Sequence, residues 1–548
     1  MSLRIRKKRN KSGSVSIHIV DRTNRGYKLV ESLGSSKDKK EIEELYQKAL
    51  KRVDELEKNL LFITKENSKK EQLKNILSKV STDNFIPIGD ELIFGRLFDE
   101  IGCKDIFKKS NIKTIRNKNK KDFLFKSLVV SRLLYPGSKL ELIHYLDYFK
   151  KIDIDVYSIY RFLDTLYQEE IKSKIEECVF NHTLKIMNNV IKFTFYDVTT
   201  LYFESESEDD LRKIGFSKEG KLARPQILLG LFTTLEGYPL SFEVYEGNKY
   251  EGHTLIDILQ KFQERFNIKD KPIVVADRGM LNNDNIAYLE NNGYKYILAY
   301  RVKNTTNDLK SKISNLVFIG DGDIKTINIT KEIFYNKETN SNKDNKRKKE
   351  KLLINQKLIV TYSKKRAKKD KYTREKALEK IENELSNKNI TKDKLKLSYY
   401  AKYLDIDKSC KIKYKLNQDK VILDEKLDGI KAFATNDYSL KANDIIAHYQ
   451  NQYKVEEAFK ISKTDLRIRP IYHRLENRIK AHILISFVSY AIYREFEKRL
   501  KEKDIKFDFS QKFLRKVIEH FLALKLDGEI IPINPSKIQK QILKIFEK

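Results

Sequence analysis

IKFTFYDVTTLYF (191–203) is the stretch whose reading decides the fold. Its alternate residues Ile191, Phe193, Phe195, Leu201 and Phe203 fall on one face, as the period of two of a strand with one buried face requires. Asp197 lies in phase with them. A lone carboxylate on an apolar face is costly, so it is protonated, paired in a salt bridge or bound to a metal.

Downstream, strand periodicity continues. RPQILLGLFTT (224–234) and YPLSFEVYEG (238–247) are two further strands, joined by a tight turn at Glu236-Gly237. HTLIDILQKFQERF (253–266) reads as a helix. PIVVA (272–276) is short and continuously apolar, as a strand buried on both faces is. Asp277 follows it directly, ahead of Arg278-Gly279, at the carboxyl end of the strand, where open α/β sheets place their sites. A helix at 282–293 and a fifth strand, YKYILAYRV (294–302), complete the pattern. The order β-β-β-α-β-α-β is that of a ribonuclease-H-like core. Neighbouring strands of such a core bring Asp197 and Asp277 within reach of one cation, and without it their repulsion raises one pKa.

Around this core (189–302) the chain divides into four more regions. Residues 1–80 hold short strands, broken at Asn24 and Gly26, and a helix at about 38–63 whose stripe is Ile42, Leu45, Ala49, Val53, Leu56 and Leu60. Residues 81–188 are helical, with a break at Pro136-Gly137, and form either a DNA reader or a plain packing domain. Residues 303–440 form a mainly β insertion. Its strand candidates are 357–363, 396–404 and 429–436, and its Lys-rich run KDNKRKKEK (343–351) is either a phosphate contact or a solvated loop. Residues 441–548 complete the core with helices at about 442–464, 475–502 and 509–525.

Lys and Arg number 110 against 78 Asp and Glu, a net charge of +32. That excess favours a polyanionic partner, nucleic acid or an anionic membrane surface, although a Lys-rich solvated surface gives the same balance. The N-terminus lacks an apolar signal core, and HILISFVSYAIY (482–493) falls short of the ~20 residues that span a bilayer, so it reads as a buried helix. The three cysteines, Cys103, Cys178 and Cys410, are too few and dispersed for a disulfide framework or a zinc site. A cytoplasmic, membrane-free protein is expected.

A third carboxylate stands far downstream in YQNQYKVEEAFKISK (449–463). On an uninterrupted helix, Tyr449, Gln452, Tyr453, Phe459, Lys460 and Lys463 share a face with Glu456. Such a face suits a helix that gives one metal ligand while Lys and Tyr hold phosphates, and equally an amphipathic helix with solvated Glu–Lys pairs. Three carboxylates with no His or Cys ligand make an oxygen-only site, which suits Mg²⁺, with Mn²⁺ as a substitute.

These residues resemble the DDE transposases of bacterial insertion sequences, in the insertion-sequence-four superfamily. Asp197, Asp277 and Glu456 stand at intervals of 80 and 179 residues, the second long enough for the β insertion common there. The family signature is Tyr, two residues, Arg, three, Glu, six, Lys, and this chain has Tyr449, Gln452, Glu456 and Lys463 at that spacing. Gln452 departs from it, keeping hydrogen bonding but losing a charge. VADRGM (275–280), YEGNKYEGHT (245–254) and LRIRPIYHRLENRIKAH (466–482) also look like this family. The resemblance implies that Asp197, Asp277 and Glu456 bind two Mg²⁺ ions, and that double-stranded DNA is cut at transposon ends and joined to a target. It also implies that Tyr449 and Lys463 contact DNA near the cut and that a homodimer pairs the ends. Arg278, Lys460 and Gln452 are further DNA-contact candidates from their positions. The competing readings are a metal-dependent nuclease that never joins strands and an inactive DNA-binding relic. A tyrosine recombinase is disfavoured, because none of the eight His has Arg three residues on.

Overall fold

The structure is a computed structural model, and it describes every residue except 1–2, 24–25, 79, 114, 218–219, 221–222, 269, 281, 337–348, 387–400, 408–412, 508–509, 527 and 548. The chain divides into two compact units: Met1–Ile86 with Ala523–Pro532, and Pro87–Leu522 with Ile533–Lys548.

In the first unit, β1 (Leu3–Arg9), β2 (Val15–Thr23) and β3 (Gly26–Ser36) form an antiparallel sheet, followed by helix α1 (Lys39–Leu77). Ile42, Leu45, Ala49, Val53 and Leu56 of α1 close over Leu3, Ile17 and Ile19. The side chain of Leu60, the last member of the expected stripe, lies outside the described residues.

The second unit begins with helices, among them α2 (Lys118–Leu134), α3 (Lys139–Lys150), α4 (Val156–Leu166) and α5 (Glu169–Ile186). The break between α2 and α3 holds Pro136-Gly137, and Ser138 then caps α3 by accepting from the Glu141 amide. Strands β4 (Phe193–Tyr202), β5 (Gln226–Thr234) and β6 (Pro239–Glu246) follow. After them come α6 (Leu255–Phe266), β7 (Ile273–Ala276), α7 (Asn283–Asn291) and β8 (Tyr296–Tyr300). Then come β9 (Ile324–Asn336), β10 (Lys349–Tyr362), α8 (Lys364–Ser386) and β11 (Ile430–Thr435). Helices α9 (Ala442–Gln450), α10 (Tyr453–Lys460) and α11 (Glu476–Glu502) close the unit's main body.

Eight strands form one mixed sheet in the order β9-β10-β11-β8-β7-β4-β5-β6. Strands β4, β7 and β8 run parallel, and the remaining pairs are antiparallel. The segment read as an insertion therefore builds onto the sheet, because β11 pairs with the free edge of β8, with Phe433 opposite Ala299. It is also less β-rich than expected: α8 and the helices Asn307–Ser314 and Gln418–Lys426 lie within it. Most of the Lys-rich run 343–351, and the first five residues of the strand candidate 396–404, lie outside the described residues.

Each face of the sheet is covered. Tyr196, Val198, Val274 and Ala276 meet Leu255, Ile258, Leu259 and Phe262 of α6 and Ile286 and Leu289 of α7. Phe193, Phe195, Leu201 and Val275 meet α10 and α11 on the other side, in a core continuous with α2, α4 and α5. Residues 481–496 of α11 are buried on every side, the expected state of a helix apolar all round. Its polar groups are used inward: Tyr490 Oη donates to the Gly237 carbonyl at 2.8 Å, and Arg494 Nη2 to the Glu236 carbonyl at 2.5 Å. They pin the β5–β6 turn, where Gly237 takes φ +84°, a left-handed conformation that glycine adopts without steric cost. Among the described residues, no helix is long and apolar enough to cross a membrane.

Candidate metal centre and nucleic-acid interface

Asp197 sits mid-strand in β4, half-buried between Phe195 and Thr199 on the face covered by α10 and α11. The parallel register pairs Phe193 with Ile273, Thr194 with Val274, Phe195 with Val275 and Tyr196 with Ala276. Asp277 follows Ala276 directly, so it leaves the carboxyl end of β7 next to the strand that carries Asp197. Neighbouring strands lie about 4.8 Å apart. Both aspartates act electrostatically on the Tyr449 phenol.

The backbone after β7 is held in place by side chains from two segments, the start of α7 and the end of β8. Asn285 Nδ2 donates to the carbonyls of Gly252 (2.8 Å) and Met280 (2.9 Å), and Asn282 Nδ2 also reaches Gly252 (2.9 Å). Arg301 Nη2 donates to the Arg278 carbonyl at 2.9 Å. The YEGNKYEGHT segment and the DRGM turn are therefore fastened together. Gly279 sits against Glu251, whose Oε2 would lie 3.8 Å from a Cβ placed on that glycine.

Helices α9 and α10 bring the other groups, but not as one rod. The continuous helix expected over 442–464 is broken at Asn451-Gln452. Asn451 Nδ2 donates to the Ala447 carbonyl, and the next turns use tighter bonds, Lys454 N to Asn451 O and Val455 N to Gln452 O. A π turn at Ile461–Asp465 then shifts the phase again. The single shared face drawn from 3.6-residue spacing is consequently split. Tyr453, Glu456 and Lys460 are exposed together, whereas Val455, Ala458 and Phe459 are buried. Gln452 is 8% exposed at the junction, a poor place for direct phosphate contact.

Tyr449 reaches the aspartates from α9. Its hydroxyl donates to Asp277 Oδ1 at 3.1 Å, and its ring lies 4.6 Å from that of Phe433. Burial, and then the negative charges of Asp277 and Asp197, push its phenol well above the usual range, so it stays a donor. Lys463 arrives from the π turn and donates from Nζ to Thr199 Oγ1 at 2.6 Å, two residues along β4 from Asp197. Arg278 and Lys460 are exposed, and neither side chain makes an ion pair among the described residues.

Glu456 stands on α10, which packs over the same face of β4. Among the described residues, no three His, Cys, Asp or Glu groups converge tightly enough to hold a metal ion. Three like charges repel, and closing them together needs a cation's charge. The donor set fits a hard divalent ion, since Asp197 and Asp277 come from neighbouring strand positions and Glu456 lies on the helix that covers β4. Sequence reasoning missed Thr199, Asn285 and Arg301. Their only local signal is ordinary, a strand Thr, a residue in a helix's first turn and a basic residue after a strand.

A family model described as "Transposase DDE domain" matches residues 189–492. No curated protein sequence matches the chain. Among solved structures, a piggyBac transposase synaptic complex with hairpin DNA is similar at 10% identity and a TM-score of 0.35, over 83% of this chain and 78% of that one. A Mos1 transposase paired-end complex with left transposon end is similar at 9% identity and a TM-score of 0.15, over 34% of this chain and 60% of that one. Superpositions this loose carry no structural argument.

Proposed function

Since the chain belongs to the transposase DDE domain family, we propose that it catalyses divalent-metal-dependent cleavage at transposon ends and transfer of the freed strand into target DNA. The observation that supports this reading is that Asp277 follows directly on β7, the parallel neighbour of the strand that carries Asp197, and accepts a hydrogen bond from Tyr449 at 3.1 Å. Asp197, Asp277 and Glu456 are the proposed ligands of two Mg²⁺ ions, with Mn²⁺ as a substitute. Divalent ions held there would supply Lewis-acid activation of the attacking oxygen and stabilisation of the leaving one in phosphoryl transfer.

The chain's own groups then have distinct tasks. Tyr449 orients the Asp277 carboxylate through its hydroxyl. Lys463, anchored to Thr199, holds positive charge beside Asp197, where a scissile phosphate has to lie. Arg278 and Lys460 offer unpaired cations to neighbouring phosphates. Water opens the phosphodiester at the transposon end, leaving a 3′-hydroxyl, and that hydroxyl displaces a 3′-oxygen from a target phosphodiester.

The finer reading is a bacterial insertion-sequence transposase of the insertion-sequence-four type, acting in the cytoplasm as a homodimer on two ends. The Tyr449, Glu456 and Lys463 spacing supports the type. Three antiparallel strands followed by two parallel ones, β6-β5-β4-β7-β8, support a ribonuclease-H-like core. The test is a strand-transfer assay with end DNA carrying a free 3′-hydroxyl, a supercoiled target and Mg²⁺. Joined product is expected. Cleavage without joining would identify a nuclease, and neither reaction would identify an inactive binding relic.

A further inference from the structure

In the sheet of the first unit, charge is sorted by face. The strand period of two puts Leu3, Ile5, Lys7 and Arg9 of β1 on one side and Arg4, Arg6 and Lys8 on the other. Antiparallel partners share a side, so the register carries the sorting across the sheet. Arg4 stands opposite Val20, Arg6 opposite His18 and Lys8 opposite Ser16. On β3, Leu29 pairs with Val20, Ser32 with His18, Ser35 with Ser16 and Tyr27 with Arg22. The other side holds Lys7 opposite Ile17, and both Ile5 and Glu31 opposite Ile19.

Helix α1 covers only that second side. Leu3, Ile17 and Ile19 are buried there, and a Cβ placed on Gly34 would meet the Leu45 side chain at 3.3 Å. The charges on this side are paired. Lys7 meets Glu43 at 3.8 Å and sits 4.1 Å from the centre of the Tyr46 ring, and Glu31 meets Arg52 at 3.1 Å. Asp21 and Glu31 are the only carboxylates in the three strands, and both fall on the α1 side. The free side carries Arg4, Arg6, Lys8 and Arg22, all exposed and in no ion pair among the described residues. Arg6 reaches over β2 to Tyr27, its guanidinium carbon 5.2 Å from the ring centroid. Tyr27 and Leu29 stay 52% and 57% exposed.

A face sorted in this way suits a regular polyanion. Three strands about 4.8 Å apart make a face about 10 Å across, and the major groove of DNA is about 12 Å wide. Alternate residues of β1 stand about 7 Å apart, two rises of the phosphates of a DNA strand at about 3.4 Å each. An anionic membrane offers no such fixed spacing. We propose that the free face of the β1–β2–β3 sheet docks on duplex DNA, with the β1 cations on phosphates and Tyr27, Leu29 and Ser32 toward the groove. The face lies outside residues 189–492, which the family model covers. That the duplex is a transposon end rests on the transposase reading, whereas the docking face itself does not.

The experiment measures binding of the full chain to a mixed-sequence DNA duplex over a range of salt. Arg4→Gln with Arg6→Gln is expected to lower the slope of log K against log salt by about two, with the Tm nearly unchanged because both side chains are exposed. Arg4→Lys with Arg6→Lys keeps the slope. Lys7→Gln with Lys28→Gln removes the same charge from the α1 side, where Lys28 stands opposite Asp21, and is expected to leave the slope nearly unchanged. Equal falls in the two Gln pairs, no fall in the Arg pair, or a wild-type chain that binds phosphatidylserine vesicles and not duplex DNA overturns the docking face. If the Arg pair loses slope as expected in a chain that neither cuts nor joins end DNA, the face stands and the transposase reading falls. A chain that joins ends while the Arg pair keeps its slope retains that reading and loses the face.

Discussion

The two aspartates and the glutamate stand on different kinds of support. Asp197 rides on β4 and Asp277 follows the end of its parallel neighbour β7, so strand positions set where both stand. Glu456 rides on a short helix, with a break at Asn451-Gln452 before it and a π turn at 461–465 after it. The strand pair is preformed. The helix is jointed at both ends.

The contrast is broken or sharpened first by charge removal. Asp197→Asn and Asp277→Asn are each expected to abolish Mg²⁺-dependent end cleavage while DNA binding persists in a gel-shift measurement. Glu456→Gln is expected to do the same. Undiminished cleavage by any one of them takes that residue out of the centre, and if that residue is Glu456 the jointed helix serves only to cover the strand pair.

Lys463 tests the second joint. Lys463→Ala is expected to weaken binding of end DNA and to lower the salt slope by about one, as loss of a phosphate contact does. An unchanged slope would make the Lys463–Thr199 bond a structural strut. The smallest effect belongs to Tyr449→Phe, which keeps the ring against Phe433 but removes the donor to Asp277. A single hydrogen bond is worth about 0.5–1.5 kcal/mol, so cleavage is expected to fall several-fold while the Tm moves little. A loss as large as that of Asp277→Asn would mean that Tyr449 does more than orient the carboxylate.

The same difference of support explains what was legible in the sequence. The phase of Asp197 among Phe193, Phe195, Leu201 and Phe203 is a local pattern, and the sheet reproduces it because burial enforces it. The apolar run 482–493 reads as buried for the same reason. The break at Asn451 is not legible, since both halves keep a helical period and the change is a switch to i−3 backbone bonds at Gln452, Lys454 and Val455. Nor is the pairing of β11 with β8, since register between strands more than a hundred residues apart depends on the whole sheet.

The burial of α11 also has a consequence in time. Residues 481–496 fill the space between the sheet and helices α2 and α4, so the core stays open until nearly 500 residues have been made. At roughly 5–20 residues per second, the 179 residues from Asp277 to Glu456 alone take about 10–35 s to synthesise. A growing chain therefore carries its two aspartates for that interval without the glutamate or the helix that seals the sheet. Until α10 and α11 have been made, the sheet face that carries Asp197 has no cover.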